Sequence, residues 1–352
     1  MKKNILMLGT GHDQLIIIKK AIELGWGVIG FDGNPKAEGR EFCDHFEEVD
    51  IRDPDLVEPL AIKYNKKAGI DACMAPATEM GISAGRVIDL LGLKGIGEEA
   101  AKALTIKSER RSLFRKARIN QPKWTLKGFV NFVPFPSIIK PDNQMAAVGV
   151  RYIESLEQLE QAKDWNIREE YLEGKELSTE VLVFDPMFIA ITADRNYDKK
   201  LKYKPYVLED GCQLPTNISP KILSKIDNII ARIISELRLR HCAIKLDLLV
   251  KDNTVYVIEC APRLGGGELS SKMIQLAFGI DWWLLALKLA CGITITQEEL
   301  APKHSQFVAQ RYHFPPNPTS HKDRFDAVIC TGSTYQEAIK RAENEIHRTS
   351  KP

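Results

Sequence analysis

Over the first hundred residues, short apolar runs alternate with stretches of helical spacing. Asn4–Leu8 and Val28–Phe31 predict buried strands, and Ala72–Ala75 a third. Between them, His12–Leu24 carries Leu15, Ile18 and Ile22 on one helical face, and 56–66 and Met80–Leu91 follow as helices. Strands separated by helices predict parallel pairing with right-handed crossovers.

The period then changes. Ile106–Ala117 predicts a basic helix, Ser137–Lys140 a strand among prolines, and Ser155–Trp165 a helix capped by Ser155. Arg168–Leu172 reads as extended. Leu177–Phe184 and Met187–Ala193 predict a hairpin around Asp185-Pro186, and His241–Lys251 with Thr254–Cys260 a second around Asp252-Asn253. Pro220–Leu237 is a long amphipathic helix, and Glu268–Gly279 and Ile280–Cys291 are shorter ones. Two strands, Gln306–Phe314 and Asp326–Cys330, and a helix, Thr334–Arg348, close the chain.

At 352 residues the chain is too long for one ordinary core, and two or three domains are expected. A net charge of +2 argues against a dedicated nucleic-acid binder. No apolar run reaches the roughly 18 residues of a membrane span. The seven cysteines are scattered and never spaced C-x-x-C, which reads as reduced thiols in the cytoplasm.

Gly9-Thr10-Gly11 follows a strand and precedes a helix, with Asp32 ending the next strand. That suggests a dinucleotide site, but Gln14 stands where the third glycine belongs. Gly25, Gly27 and Gly30 have the full glycine spacing but precede a strand. A plain strand–helix turn is the better reading.

The chemistry concentrates between His241 and Gly267. Asp247 and Glu259 lie on two strands of one hairpin, nearly opposite each other and flanked by apolar residues. Two carboxylates so placed call for a cation, and hard oxygen ligands favour Mg²⁺ with nucleotide phosphates. Lys245 shares the face of Asp247. Arg263 enters Gly265-Gly266-Gly267 and can fork onto a phosphate or carboxylate. Upstream, Lys140 ends a strand as a point charge for phosphate. Residues 143–150 form a loop of mostly small residues, and Arg168–Glu176 sets extended backbone beside several acids.

In this order the pieces resemble the ATP-grasp superfamily, of the carboxylate–amine ligase type. The resemblance implies an α/β protein: an ATP-grasp fold with an N-terminal Rossmann-like pre-ATP-grasp domain. It divides the chain into 1–104, an ATP-grasp domain over 105–300 with a lid at about 121–172, and a C-terminal α/β segment over 301–352. It implies that Lys107 and Lys140 bind ATP, that Glu169, Glu170, Tyr171 and Leu172 form the adenine hinge, and that Glu176 holds the ribose. Asp247 and Glu259 become the Mg²⁺ ligands, with Mn²⁺ able to substitute, and Arg263 and Lys245 the catalytic cations. The partners implied are a small carboxylate and an amine, with no nucleic acid and no membrane; a homodimer is compatible.

Two departures stand out. Ala261 occupies the place of a family asparagine that adds a metal oxygen, and Met145-Ala146-Ala147-Val148 lacks the glycines usual over the phosphates. They support the competing reading of a nucleotide-binding protein without turnover. Glu79 is a candidate for the amine, His12 and Asp194-Arg195 for the substrate. Lys199–Lys204 is either a basic loop over an anionic substrate or a solvated surface loop.

Overall fold

The structure, a computed structural model, describes residues 2–129, 132–185, 187–196 and 201–349. Four short strands open it: β1 (Asn4–Leu8), β2 (Gly27–Asp32), β3 (His45–Glu48) and β4 (Ala72–Met74). They pair in parallel in the order β3-β2-β1-β4, as the alternation with helices requires. The helix Pro54–Ala68 shows why a crossover forms here. Asp53 caps it by accepting from the Asp55 N–H, Pro54 opens it, and Gly69 ends it at φ 75°.

The second sheet is small and antiparallel: β5 (Trp124–Leu126), β6 (Ser137–Lys140), β7 (Arg151–Ile153) and β8 (Ile167–Glu170), in the order β5-β8-β6-β7. Ser155 caps the following helix as expected, but the helix ends at Gln161 instead of Trp165. Asp164 turns left-handed there, at φ 58°, and Trp165 folds into the sheet's own core with Ile139, Ile153 and Leu159.

The third sheet has seven strands: β9 (Lys175–Val183), β10 (Phe188–Asn196), β11 (Gly211–Leu214), β12 (Cys242–Lys251), β13 (Thr254–Ala261), β14 (Phe307–His313) and β15 (Asp326–Gly332). Their order is β13-β12-β9-β10-β11-β14-β15. The last two strands therefore extend the same sheet that carries Asp247 and Glu259. Pro186, in the expected first turn, lies outside the described residues. The Asp252-Asn253 turn has φ of 48° and 59°, the left-handed pair that a two-residue hairpin needs. One face of the sheet packs on the helix Pro220–Leu237 through Ile222, Ile226, Ile230 and Ile233. The other packs on helices Ile274–Phe278 and Trp282–Ala290. The sequence places Glu268 inside the first of these helices, but Glu268 is left-handed at φ 68° and stands before it.

Gly211 marks where β11 meets β14. Its φ is +151°, and a Cβ there would lie 1.9 Å from the Gln310 carbonyl oxygen. That oxygen is backbone and cannot swing aside. Gly211→Ala is expected to cost about 1–3 kcal/mol, read as a lower melting temperature. Unchanged melting would contradict the β11–β14 pairing.

Candidate active site

One cavity of about 880 Å³ lies between the three sheets. The residues expected to bind nucleotide and metal and to act as catalytic cations line it: Lys107, Lys140, Glu169, Glu170, Tyr171, Leu172, Glu176, Lys245, Asp247, Glu259 and Arg263. They come from five separate stretches of chain.

The carboxylates sit on the floor. Asp247 and Glu259 are directly opposed in the β12–β13 ladder, and the register slips immediately after Asp247. Lys245 Nζ lies 2.7 Å from Asp247 Oδ1, and Arg195 Nη1 lies 2.7 Å from Oδ2. Burial opposes ionisation of Asp247, but the two cations overcome it and hold the carboxyl well below the usual range. Glu259 is more open to the cavity, with Arg110 Nη1 3.6 Å away. Burial opposes its charge too, and Arg110 and Lys107 prevail. Ala261 is buried opposite Lys245 in the same ladder.

The helix Lys107–Lys116 buries Lys107, Arg110, Arg111 and Phe114 on one face, so these three cations point inward. Burial pulls the Lys107 ammonium below its ordinary value, and its Nζ donates to the Gln144 carbonyl. Arg111 is fully buried and was not singled out from the sequence. It donates to Glu169 Oε1 and to the carbonyls of Val257 and Ile258, each at 2.8 Å, and so ties β8 to β13. Lys140 takes the other oxygen of Glu169 at 2.7 Å. Glu169 is charged against the cost of burial because Arg111 and Lys140 enclose it. Its carboxylate is thus spent on orienting Lys140, which leaves backbone for any contact with a base. Glu170 accepts from the Lys123 N–H at 2.8 Å, and the Tyr171 ring meets Tyr152 edge-on.

The alanine loop adopts glycine-like geometry. Ala146 and Ala147 have φ of 52° and 59°, and Gly149 has 72°. The Ala146 carbonyl accepts from the His321 N–H at 2.9 Å, and Met145 packs on the core of the first sheet. Contacts from two other parts of the chain hold a conformation that alanine alone disfavours.

At the far end, Arg263 pairs with Glu79 at 2.5 Å and also donates to the Leu264 carbonyl at 3.1 Å. His12 lines the same end. Asp194 and Arg195 diverge: Arg195 reaches Asp247, whereas Asp194 is buried away from the cavity, bound by Thr216, Lys175 and Tyr335. Lys199 and Lys200 lie outside the described residues, and Lys204 pairs with Glu154. Asp32 accepts from the N–H groups of Thr10 and Asn34, which makes it an organiser of the Gly9 turn instead of a ribose ligand.

The family model for the ATP-grasp domain matches residues 107–267. The chain carries an ATP-grasp domain. The parallel sheet before it is the Rossmann-like pre-ATP-grasp domain of that fold. Alanine–anticapsin ligase of Bacillus subtilis is 25% identical over 284 residues, covering 70% of this chain and 59% of its own. D-alanine–D-alanine ligase of Wolbachia sp. subsp. Drosophila simulans (strain wRi) is 28% identical over 261 residues, covering 67% and 79%. L-amino acid ligase from Bacillus licheniformis superposes with a TM-score of 0.83 at 16% identity, over 98% of this chain and 97% of its own. The chain spans 50% and 59% of two curated alanine–anticapsin ligases and 35% of a carnosine synthase.

Lys140→Ala removes an ammonium that lines the cavity and unbalances Glu169. A charge-assisted contact is worth about 1.5–3 kcal/mol, so ATP affinity should fall roughly ten- to a hundredfold. Calorimetric titration with ATP checks this; unchanged affinity would take Lys140 out of the nucleotide site.

Proposed function

We propose that the protein is an ATP-dependent, ADP-forming ligase that joins a carboxylate to an amine through an acyl phosphate. The observation that carries this reading is the direct opposition of Asp247 and Glu259 on the cavity floor, with Lys140 toward one end and Arg263 toward the other. The acid and the amine are taken to include an α-amino acid. The relatives named for alanine and D-alanine support this, as does the mixed charge of the Arg263–Glu79 and Lys272–Glu268 pairs that line the cavity.

Two opposed carboxylates fit a hard divalent cation. Mg²⁺ commonly takes one or two carboxylates and completes its shell with water and phosphate oxygens. Among the described residues, no cluster of three or more His, Cys, Asp or Glu gathers. Mg²⁺, or Mn²⁺, held by Asp247 and Glu259 would neutralise phosphate charge. Lys140 and Lys107 bind phosphate oxygens, the 169–172 backbone and Glu176 hold the nucleoside, and Arg195 and Lys245 together set the charge of Asp247.

In the first step a carboxylate oxygen of the acid attacks the γ-phosphorus. The bond to the β-phosphate oxygen breaks, and ADP leaves. Arg263 holds the acyl oxygens, where negative charge develops. In the second step the amine nitrogen attacks the acyl carbon, phosphate departs, and the nitrogen loses a proton. Seven unpaired cysteines support a reducing, cytoplasmic setting; among the described residues, no helix is long and apolar enough to cross a membrane.

The test supplies ATP, Mg²⁺ and hydroxylamine with a panel of amino acids and small carboxylates. One acid should give a hydroxamate together with ADP. AMP and pyrophosphate would overturn the mechanism. ATP binding without ADP release across the panel would favour a nucleotide-binding protein without turnover.

A further inference from the structure

Beneath the Arg263 loop lies a carboxylate to which the proposed reaction gives no role. Glu180 stands in β9 opposite Lys245 of β12 and is completely buried. Both of its oxygens accept from the Gly265 N–H, at 3.0 and 3.2 Å. The Gly265 carbonyl accepts from Ser270 Oγ at 2.8 Å, and Ser270 Oγ accepts in turn from Trp283 Nε1 at 2.8 Å. Both polar groups of Gly265 are therefore gripped, one from the sheet and one from the segment behind it.

The grip depends on glycine. A Cβ at 265 would fall 2.1 Å from Glu180 Oε1. Gly265 is two residues beyond Arg263, and the Leu264 between them is buried. The Leu264 carbonyl accepts from Arg263 Nη1 and, at 3.3 Å, from the Ala77 N–H. Turning the Gly265 peptide would thus turn the carbonyl on which Arg263 rests.

A buried carboxylate is expensive unless hydrogen bonds and nearby cations repay it. Burial pushes the Glu180 carboxyl up to about 7, although the Gly265 N–H, Lys245 and Arg263 all favour its charge. An apolar side chain would fill the same space at less cost. What Glu180 adds is an oxygen acceptor for the Gly265 N–H.

We propose that Glu180 is a positioning residue that clamps the Gly265 peptide and thereby aims Arg263 at the acyl oxygens. The clamp stands on the hydrogen bonds alone; its effect on turnover rests on the ligase reading. Two substitutions separate the possibilities. Glu180→Met keeps bulk and removes the acceptor, whereas Glu180→Gln keeps an oxygen for the N–H. Amide hydrogen exchange of the 263–269 segment needs no turnover. It should speed up at least about tenfold in Glu180→Met and stay near wild type in Glu180→Gln. Equal protection in all three proteins overturns the clamp. In the hydroxamate assay, Glu180→Met should raise KM for the acid while leaving KM for ATP unchanged, with Glu180→Gln restoring it. A parallel rise in both KM values, or loss of folded protein alone, would mean a merely structural role and overturn the proposal. If wild type forms no hydroxamate while the exchange pattern holds, the ligase reading falls and the clamp stands.

Discussion

Glu259→Gln should abolish ADP formation while leaving a folded protein that still binds ATP. The amide keeps the shape of the side chain and removes one of the two charges on the cavity floor. Loss of metal-assisted charge neutralisation is worth several kcal/mol, so turnover should fall by at least about a hundredfold. Glu259 is the cleaner target of the two carboxylates. Its nearest cation is Arg110 at 3.6 Å, and Arg110 keeps its bond to the Leu104 carbonyl at 2.8 Å. Asp247→Asn would instead strip the partner from Arg195 and Lys245 together. Breaking a buried pair costs about 3–5 kcal/mol, which would confuse stability with catalysis. The measurement is steady-state ADP release against Mg²⁺ concentration, beside ATP titration. Normal turnover of the Glu259 variant at low Mg²⁺ would remove the hairpin from the metal site.

Arg263→Ala should lose hydroxamate formation and retain ATP affinity. The guanidinium pairs with Glu79, far from residues 169–172 in sequence and supported by a different sheet. Removing one donor to a developing oxyanion costs about 2.7–4 kcal/mol, or roughly 10²–10³ in kcat. Arg263→Lys should recover little, because one ammonium cannot serve Glu79, the Leu264 carbonyl and an acyl oxygen as a planar fork does. Single-turnover trapping with ATP and the acid, without the amine, isolates the step. Undiminished trapping in Arg263→Ala would place acyl stabilisation elsewhere.

Ala261→Asn tests whether position 261 faces the proposed cation. Ala261 is buried opposite Lys245, so a larger side chain must displace a neighbour or reach the cavity floor. Tighter apparent Mg²⁺ affinity with preserved turnover would mean that the position faces the cation. Lower activity would mean that the floor has been rebuilt around alanine.

The elements that were legible in the sequence are those whose evidence is local. The parallel first sheet followed from strand–helix alternation, and the β12–β13 hairpin from the Asp252-Asn253 turn. Opposition of Asp247 and Glu259 followed from that hairpin, because period-two geometry and a two-residue turn leave little freedom of register. Strands of three or four residues such as β5, β7 and β11 were missed. They are too short to show a period, and their neighbours in the sheet hold them.

Chain order and residue type were enough to bring the carboxylates, Lys140 and Arg263 into one set and to suggest its chemistry. Tertiary structure alone decided who partners whom. Arg195 reaches Asp247 from a residue 52 positions away, Arg111 ties Glu169 to β13, and Glu180 of β9 grips Gly265 in the loop beyond β13, two strands over. A lone arginine or glutamate in a strand carries no local signal of its partner. The charge of each such group is set by what the fold buries beside it, and burial is a property of the packed sheets.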